Sequence, residues 1–431
     1  DSGIVKEAHI ALYNETLYNL YHDFAVLHEL MTQLQPEKAR YQRILHALNK
    51  ATNELSIYST EEAQRAREIL APELAKKNGT PSLHVSAIGH AHIDLAWLWP
   101  LRETIRKGGR TFSTVLAMME RYPDYIFGAS QPQLYQWMKE YYPALYKKIQ
   151  ARVAEGRWET QGAMWVEPDM NISGGEALVR QILYGMRFFR DEFGTTPRML
   201  WLPDVFGYSA ALPQILKKAG IDYFLTIKIS WNTFNTFPHH TFFWQGLDGS
   251  RVLAHMPPEG TYNSSAAPRA IVAAEKNYAD KAVSEYCALL YGIGDGGGGP
   301  GSEHLERLAR EKNLDGLAPV KQEPMETFFE RLAQDSSEYP TWNGELYLEK
   351  HQGTYTSQAR NKRFNRKMEL ALRELEFILT LAHIQTGHPY PTETLDTIWQ
   401  EVLLYQFHDI LPGSSIQRVY TESLARYQHL L

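Results

Sequence analysis

Residues 83–100 read Leu83-His84-Val85-Ser86-Ala87-Ile88-Gly89-His90-Ala91-His92-Ile93-Asp94-Leu95-Ala96-Trp97-Leu98-Trp99-Pro100. An apolar run of strand length passes directly into a turn that carries two histidines and an aspartate. The same texture recurs downstream. Candidate strands lie at 83–89, 125–130, 158–164, 199–202, 223–229, 252–255 and 288–293, with helical segments between several of them. Such alternation predicts an α/β fold with a mainly parallel sheet, open or closed into a barrel.

On the amino-terminal side the pattern is helical. Tyr13, Leu17, Leu20, Phe24, Leu27 and Met31 recur at helical spacing, and Ser59 with Glu62 forms a capping box. Asn78-Gly79-Thr80-Pro81 ends this segment. Within the α/β part, Ser173 and Glu176 form a second capping box ahead of Leu178, Ile182, Met186 and Phe189. A short helix carries Leu212, Ile215, Leu216 and Ala219, with Lys217 and Lys218 in its last turn and Gly220 at C′. After about residue 344 three apolar stripes follow. They are Phe364, Met368, Ala371, Leu375, Ile378 and Ala382, then Leu395, Ile398, Val402 and Tyr405, then Ile416, Tyr420, Leu424 and Tyr427. These predict a small helical bundle. The expected division is 1–78 helical segment, 79–344 catalytic α/β domain and 345–431 bundle.

A chain of 431 residues has ample material for two or three domains. Its net charge of -6 and its lack of a Lys/Arg block exclude nucleic acid and anionic membranes as expected partners. No apolar run approaches the roughly 20 residues a membrane span needs, and no leader pattern is visible. The single cysteine, Cys287, can form no internal disulfide or thiolate metal cluster, so a reducing, cytoplasmic location is expected. The sequons at Asn14, Asn78, Asn171 and Asn263 carry little weight in a chain this long.

Ligands of parallel α/β folds bind at the carboxyl ends of strands, so the residues that follow the candidate strands hold the chemistry. His90, His92 and Asp94 alternate along one side of an extended backbone. Imidazole with carboxylate suits zinc or a similar divalent ion, while a hydrogen-bonded turn is the plain alternative. Asp204, in Trp201-Leu202-Pro203-Asp204-Val205-Phe206-Gly207-Tyr208, is either a catalytic carboxylate or a helix N-cap. Ser209 could serve as that cap and leave Asp204 free. His408 and Asp409 interrupt an apolar run at the end of the second bundle helix, as metal ligands or as a buried structural pair. Asp295 sits in the loop Gly294-Asp295-Gly296-Gly297-Gly298-Gly299-Pro300. It is a general acid or a plain acidic turn, and the loop lacks the lysine and spacing of a phosphate-binding loop. Residues 349–357 are a polar entry to the first bundle helix.

The strings 90–100, 201–208, 292–300, 351–357 and 406–414 occur in this order. They resemble the signature segments of glycoside hydrolase family 38, the α-mannosidases. The glycine-rich string resembles the cytosolic, vacuolar and bacterial branch more than the Golgi and lysosomal one. The resemblance implies a seven-stranded β/α barrel followed by a three-helix bundle. It implies that His92, Asp94, Asp204 and His408 hold one zinc ion (cobalt being the alternative), with His90 and Asp409 supporting them. Asp204 is the implied nucleophile and Asp295 the implied acid/base, although the Golgi-type branch has two adjacent aspartates where this chain has Asp295-Gly296. Trp97, Phe206, Lys228 and Tyr262 are assigned to substrate, Lys228 standing where some relatives have arginine.

The implied activity is removal of terminal α-linked mannose from oligosaccharides or glycoconjugates, with retention through a mannosyl-aspartate. The axial 2-hydroxyl of mannose gives a cis 2,3-diol that zinc could grip. A zinc-dependent polysaccharide deacetylase is the competing enzyme, but it needs no counterpart of Asp295. A binding module without turnover would not need both aspartates. The third stripe runs to Leu430-Leu431 without a glycine cap or basic last turn. Chains of the resembled family are longer and continue into β-rich domains, so the resemblance implies an incomplete enzyme that folds and binds zinc, exposes apolar surface, associates with itself as a homo-oligomer or is poorly soluble, and turns over weakly.

Overall fold

The structure is a computed structural model and describes residues 4–335 and 337–431. Residues 1–3 of the expected helical segment lie outside the described residues. Three helices, Glu15–Gln33, Ala39–Thr52 and Thr60–Leu74, open the chain. Leu20, Leu27 and Met31 of the expected stripe are buried, but Tyr13 precedes the helix and is exposed. The Ser59/Glu62 capping box forms: Glu62 N donates to Ser59 Oγ at 3.2 Å and Ser59 N donates to Glu62 Oε2 at 3.3 Å.

Among the described residues ten strands follow: β1 His84–His90, β2 Phe127–Ala129, β3 Trp158–Thr160, β4 Met199–Trp201, β5 Tyr223–Leu225, β6 Thr241–Gln245, β7 Arg251–His255, β8 Tyr286–Tyr291, β9 Val320–Gln322 and β10 Thr341–Asn343. They form two sheets, β3-β2-β1-β8 with β9 also on β1, and β10-β6-β7-β5-β4. Every pairing is parallel except the β6–β7 hairpin. The fold is thus α/β with mainly parallel sheets.

All seven expected strands are present, as β1, β2, β3, β4, β5, β7 and β8, and β6, β9 and β10 are additional. The ladders divide the seven into a run of four and a run of three rather than one continuous closed ring. Between the runs, side chains take over. Ile88, Trp201, Leu225, Leu253, Ala288 and Leu290 share one apolar cluster, and Ala288 N donates to His255 Nε2 at 3.2 Å across from β8 to β7.

The strands after 158 and 223 are shorter than expected. Their chains leave the ladder after Thr160 and Leu225 to build buried loops, the second through a 3-10 turn at Lys228–Trp231. The second capping box does not form. Helix Gly175–Phe193 has Gly174 as its N-cap without a side-chain cap. Instead Gly174 N donates to Glu369 Oε1 of a distant helix at 2.9 Å. Helix Leu212–Lys218 has Ala211 as its N-cap without a side-chain cap, so neither Ser209 nor Asp204 caps it; Ser209 Oγ accepts from Ala211 N at 3.3 Å just ahead of the helix.

Three helices end the chain: Ala359–Thr386, Thr392–Tyr405 and Gln417–Leu430, each touching the other two. Met368 and Leu372 of the first are buried, but Leu375 and Ile378 of the expected stripe are exposed, as are Phe377, Leu381 and Ile384. No helix among the described residues is long and apolar enough to cross a membrane.

One buried charge is expected to show in stability. Glu311, at the end of helix Ser302–Glu311, is fully buried and neither carboxyl oxygen has a hydrogen-bond partner. Burial holds its carboxyl well above the ordinary 4.5, with Arg307 opposing. A raised folded pKa means stability that is full below the ordinary value and lost as pH rises through the folded one. Glu311→Gln should therefore unfold at higher urea than the parent, by a margin that grows with pH above 4.5. The gain is up to about 1.4 kcal/mol per pH unit until the folded pKa is passed. A margin that is constant with pH would refute this.

Candidate metal centre and active site

The sequence-marked residues converge at the carboxyl ends of the parallel strands. His90 ends β1 and His92 and Asp94 follow it. Asp204 comes three residues after β4, Lys228 three after β5 and Asp295 four after β8. Tyr262 lies in the loop after β7, and His408 follows helix Thr392–Tyr405. The turn after β1 is fixed by alternation: Ile93, Leu95 and Ala96 are buried in the main core. Thr104 Oγ1 donates to Leu95 O at 2.6 Å, and Gln131 Nε2 donates to Ile93 O at 3.0 Å.

His92, Asp94, Asp204 and His408 are all buried and offer one ligand atom each within 4.8 Å of one another. His92 Nε2 lies 3.0 Å from Asp94 Oδ1 and 3.9 Å from Asp204 Oδ2. His408 Nε2 lies 3.5 Å from Asp94 Oδ1 and 3.7 Å from Asp204 Oδ2. Four ligands at about 2.1 Å from one zinc ion sit roughly 3.4 Å apart in a tetrahedron, so the cage has the right size. Its chemistry fits too. His408 Nε2 is buried with no hydrogen-bond partner, a costly state for a polar atom unless something meets it.

The electrostatics favour a cation at this point. Burial opposes a charged His92, yet the carboxylates of Asp94 and Glu167 outweigh it and hold the imidazole well above its ordinary value. Burial pushes the Asp94 carboxyl up, but His92 and His408 hold it below the usual range. Burial raises Asp409 to about 7, against the pull of His408. Ser414 Oγ donates to Asp409 Oδ1.

Lys228 Nζ donates to Asp204 Oδ1, which leaves Oδ2 toward the two imidazoles. The ammonium also stands 3.9 Å from the Trp231 ring centroid and 5.1 Å from that of Phe206. A cavity of about 410 Å³, within the range of small-molecule sites, is lined by Asp94, Asp204, Asp409, Lys228 and Asp295, with Trp97, Phe206, Trp231 and Tyr262 as aromatic walls.

Asp295 is held in a strained backbone state, with φ 52° at a residue that is not glycine. The loop is pinned by Gly294 N donating to Asn263 Oδ1 at 2.6 Å and Gly296 N donating to His92 O at 3.2 Å. Tyr262 OH donates to Asp295 Oδ1 at 3.0 Å. Burial raises the Asp295 carboxyl; His92 opposes and Asp94 adds to the rise. His90 is not in the ligand cage. Burial lowers its pKa to about 3, so the neutral ring donates from Nε2 to Tyr262 O at 2.7 Å and anchors the Tyr262 loop.

Gly292 shows how tightly this loop meets β1. Its φ is 127°, and a β-carbon there would stand 2.2 Å from His90 O. Gly292→Ala should displace the Asp295 loop and cut turnover about 100-fold, the usual cost of misplacing a group by roughly 1 Å. Turnover within a factor of about three would show that the loop tolerates the shift.

Sequence reasoning missed Glu167 and Trp231, and gave His351, within the 349–357 segment, no role of its own. Glu167 comes three residues after the expected strand 158–164, so its place past a strand end is visible in the sequence. His351 packs edge-on to Phe206, with centroids 4.7 Å apart. Its residue type was visible, but its position in the wall depends on the fold.

Comparison with known proteins gives the family. The model of the glycosyl hydrolases family 38 N-terminal domain matches residues 82–345, and that of the alpha mannosidase middle domain matches 349–431. The chain belongs to glycosyl hydrolase family 38. It is 41% identical over 427 residues to alpha-mannosidase 2C1 of Homo sapiens, covering 99% of this chain and 41% of that protein. It is 41% identical over 428 residues to alpha-mannosidase G of Dictyostelium discoideum, covering 99% and 39%. The chain thus spans about two fifths of the length of these relatives. Its fold matches the crystal structure of an alpha-mannosidase from Enterococcus faecalis V583 with a TM-score of 0.70, at 19% identity, over 82% of this chain and 41% of that one.

Proposed function

We propose that this chain carries the catalytic site of a zinc-dependent, retaining exo-α-mannosidase that removes terminal α-linked mannose from oligosaccharides or glycoconjugates. The observation that carries this is the convergence of the His92/Asp94/Asp204/His408 cage, with Lys228 on Asp204 and Tyr262 on Asp295, in one aromatic-walled cavity. Zinc, or cobalt in its stead, would supply a Lewis-acidic centre for the cis 2,3-diol of mannose.

The chain's own residues do the rest. Lys228 keeps Asp204 paired and oriented. Asp204 attacks the anomeric carbon as the bond to the leaving oxygen breaks, and Asp295 gives that oxygen its proton. Water then attacks the mannosyl-aspartate, Asp295 takes its proton, and the Asp204 carboxylate is released. Trp97 and Phe206 line the cavity as aromatic walls for the sugar. Asp409 and His90 support the cage and the Tyr262 loop.

In the proposed enzyme the chain divides into 1–78, 79–344 and 345–431, the two parallel runs are the halves of one barrel, and the last three helices form one bundle. Further β-rich domains, self-association and a cytoplasmic location belong to it as proposals. The test is release of mannose from an aryl α-mannoside, with the anomer of the first product read by NMR. The α-anomer is expected; β-mannose as first product, or deacetylation of a polysaccharide without mannose release, would overturn the reading.

A further inference from the structure

We propose that Glu167 is the positioning residue of the metal cage, its side chain setting His92 and its main chain setting His408. The proposal rests on the metal reading above. Glu167 sits in the buried loop between β3 and helix Gly175–Phe193, only 2% exposed. Its Oε2 lies 3.3 Å from His92 Nδ1. Its main-chain oxygen accepts from His408 Nδ1 at 2.8 Å and from His408 N at 3.2 Å. One residue therefore stands behind both imidazoles.

An imidazole that offers Nε2 to a cation carries its proton on Nδ1, and that proton needs an acceptor. For His408 the acceptor is a carbonyl; for His92 it is a carboxylate, which also makes the ring more electron-rich at Nε2. Glu167 Oε2 and His92 Nδ1 are both buried without a hydrogen-bond partner. Their 3.3 Å separation is looser than the roughly 2.7–2.9 Å of a charge-assisted bond. The proposal requires the pair to tighten when Nε2 engages an ion.

Glu167 is itself held rigidly. Ser130 Oγ donates to its Oε1 at 2.6 Å, and its main-chain N donates to Gln131 Oε1 at 3.3 Å. Gln131 in turn holds Ile93 O, between the two ligands of the first turn. The network thus ties the loops after β1, β2 and β3 to His408.

The test uses cobalt alone as the probe, on the parent chain, Glu167→Gln and Glu167→Met. Affinity is measured by chelator competition, with the melting of the metal-free proteins as the fold control. Glu167→Gln should bind about 10-fold more weakly and Glu167→Met about 100-fold, the span seen for such outer partners, with metal-free melting unchanged. Paramagnetic proton NMR of the cobalt-loaded parent should show one exchangeable, far-shifted Nδ1 proton for each imidazole. Glu167→Met should lose the His92 signal and keep that of His408, whose acceptor is main chain. Affinities equal within about twofold, with both signals in place, would overturn the proposal. If Glu167→Met does not fold, Glu167→Gln decides on the same readouts. A parent chain that takes up no cobalt sinks the metal reading itself, a result distinct from equal binding by all three.

Discussion

Asp204→Ala is expected to abolish turnover of an aryl α-mannoside, with a loss of about 10⁴-fold or more. The residue is asked to do two things at once. Its Oδ2 faces His92 and His408, while its Oδ1 is held by Lys228. Removing the side chain deletes the nucleophile, opens the cage and leaves a buried ammonium without its partner. Asp295→Asn is the companion variant. It should slow a substrate with a poor leaving group far more than an activated aryl mannoside, which needs little protonation. Equal losses on both would show that Asp295 is not the acid.

The pH profile carries the same assignment with a definite sign. Burial first, with help from Asp94 and Asp204, raises the Asp295 carboxyl. A raised pKa keeps the acid protonated to higher pH. The acid-dependent rate is full below that value and falls as pH rises through it. The alkaline arm should therefore shrink in Asp295→Asn and in substrates with activated leaving groups. An alkaline arm that is the same for good and poor leaving groups contradicts the role.

Metal removal is the second large effect. A chelator should bring turnover to background, and zinc should restore it, with cobalt as a working substitute. His408 Nε2 makes no hydrogen bond, its nearby carboxylate oxygens on Asp94 and Asp204 standing 3.5 and 3.7 Å away, and an ion would join these groups. Binding should stabilise the fold by about 4 kcal/mol at 1,000 times the dissociation constant. Full activity after exhaustive chelation, verified by elemental analysis, would end the metal reading. His92→Ala and His408→Ala should each reproduce the chelated state, since each removes one of the four cage atoms.

Much of this was legible in the sequence because it is local. Strand periodicity marked seven parallel strands, and the rule that ligands sit past strand ends led to His92, Asp94, Asp204 and Asp295. Each of these depends on a few consecutive residues. His408 was legible as a histidine–aspartate break in an apolar helix, but its arrival beside Asp94 is a long-range event. So is the cap of Gly174 by Glu369, where a local serine had been expected. The division of the strands into two hydrogen-bonded runs, and the exposed end of helix Ala359–Thr386, are set by which surfaces happen to meet. Glu167 is the clearest case. Its residue type and neighbours say only that an acid follows a strand. Its place behind two imidazoles, with its side chain 3.3 Å from His92 Nδ1 and its main-chain oxygen accepting from His408 Nδ1 at 2.8 Å, exists only where the packed chain brings residues 92, 167 and 408 together, because such contacts act over a few ångströms and local pattern carries no information about sequence separations of that size.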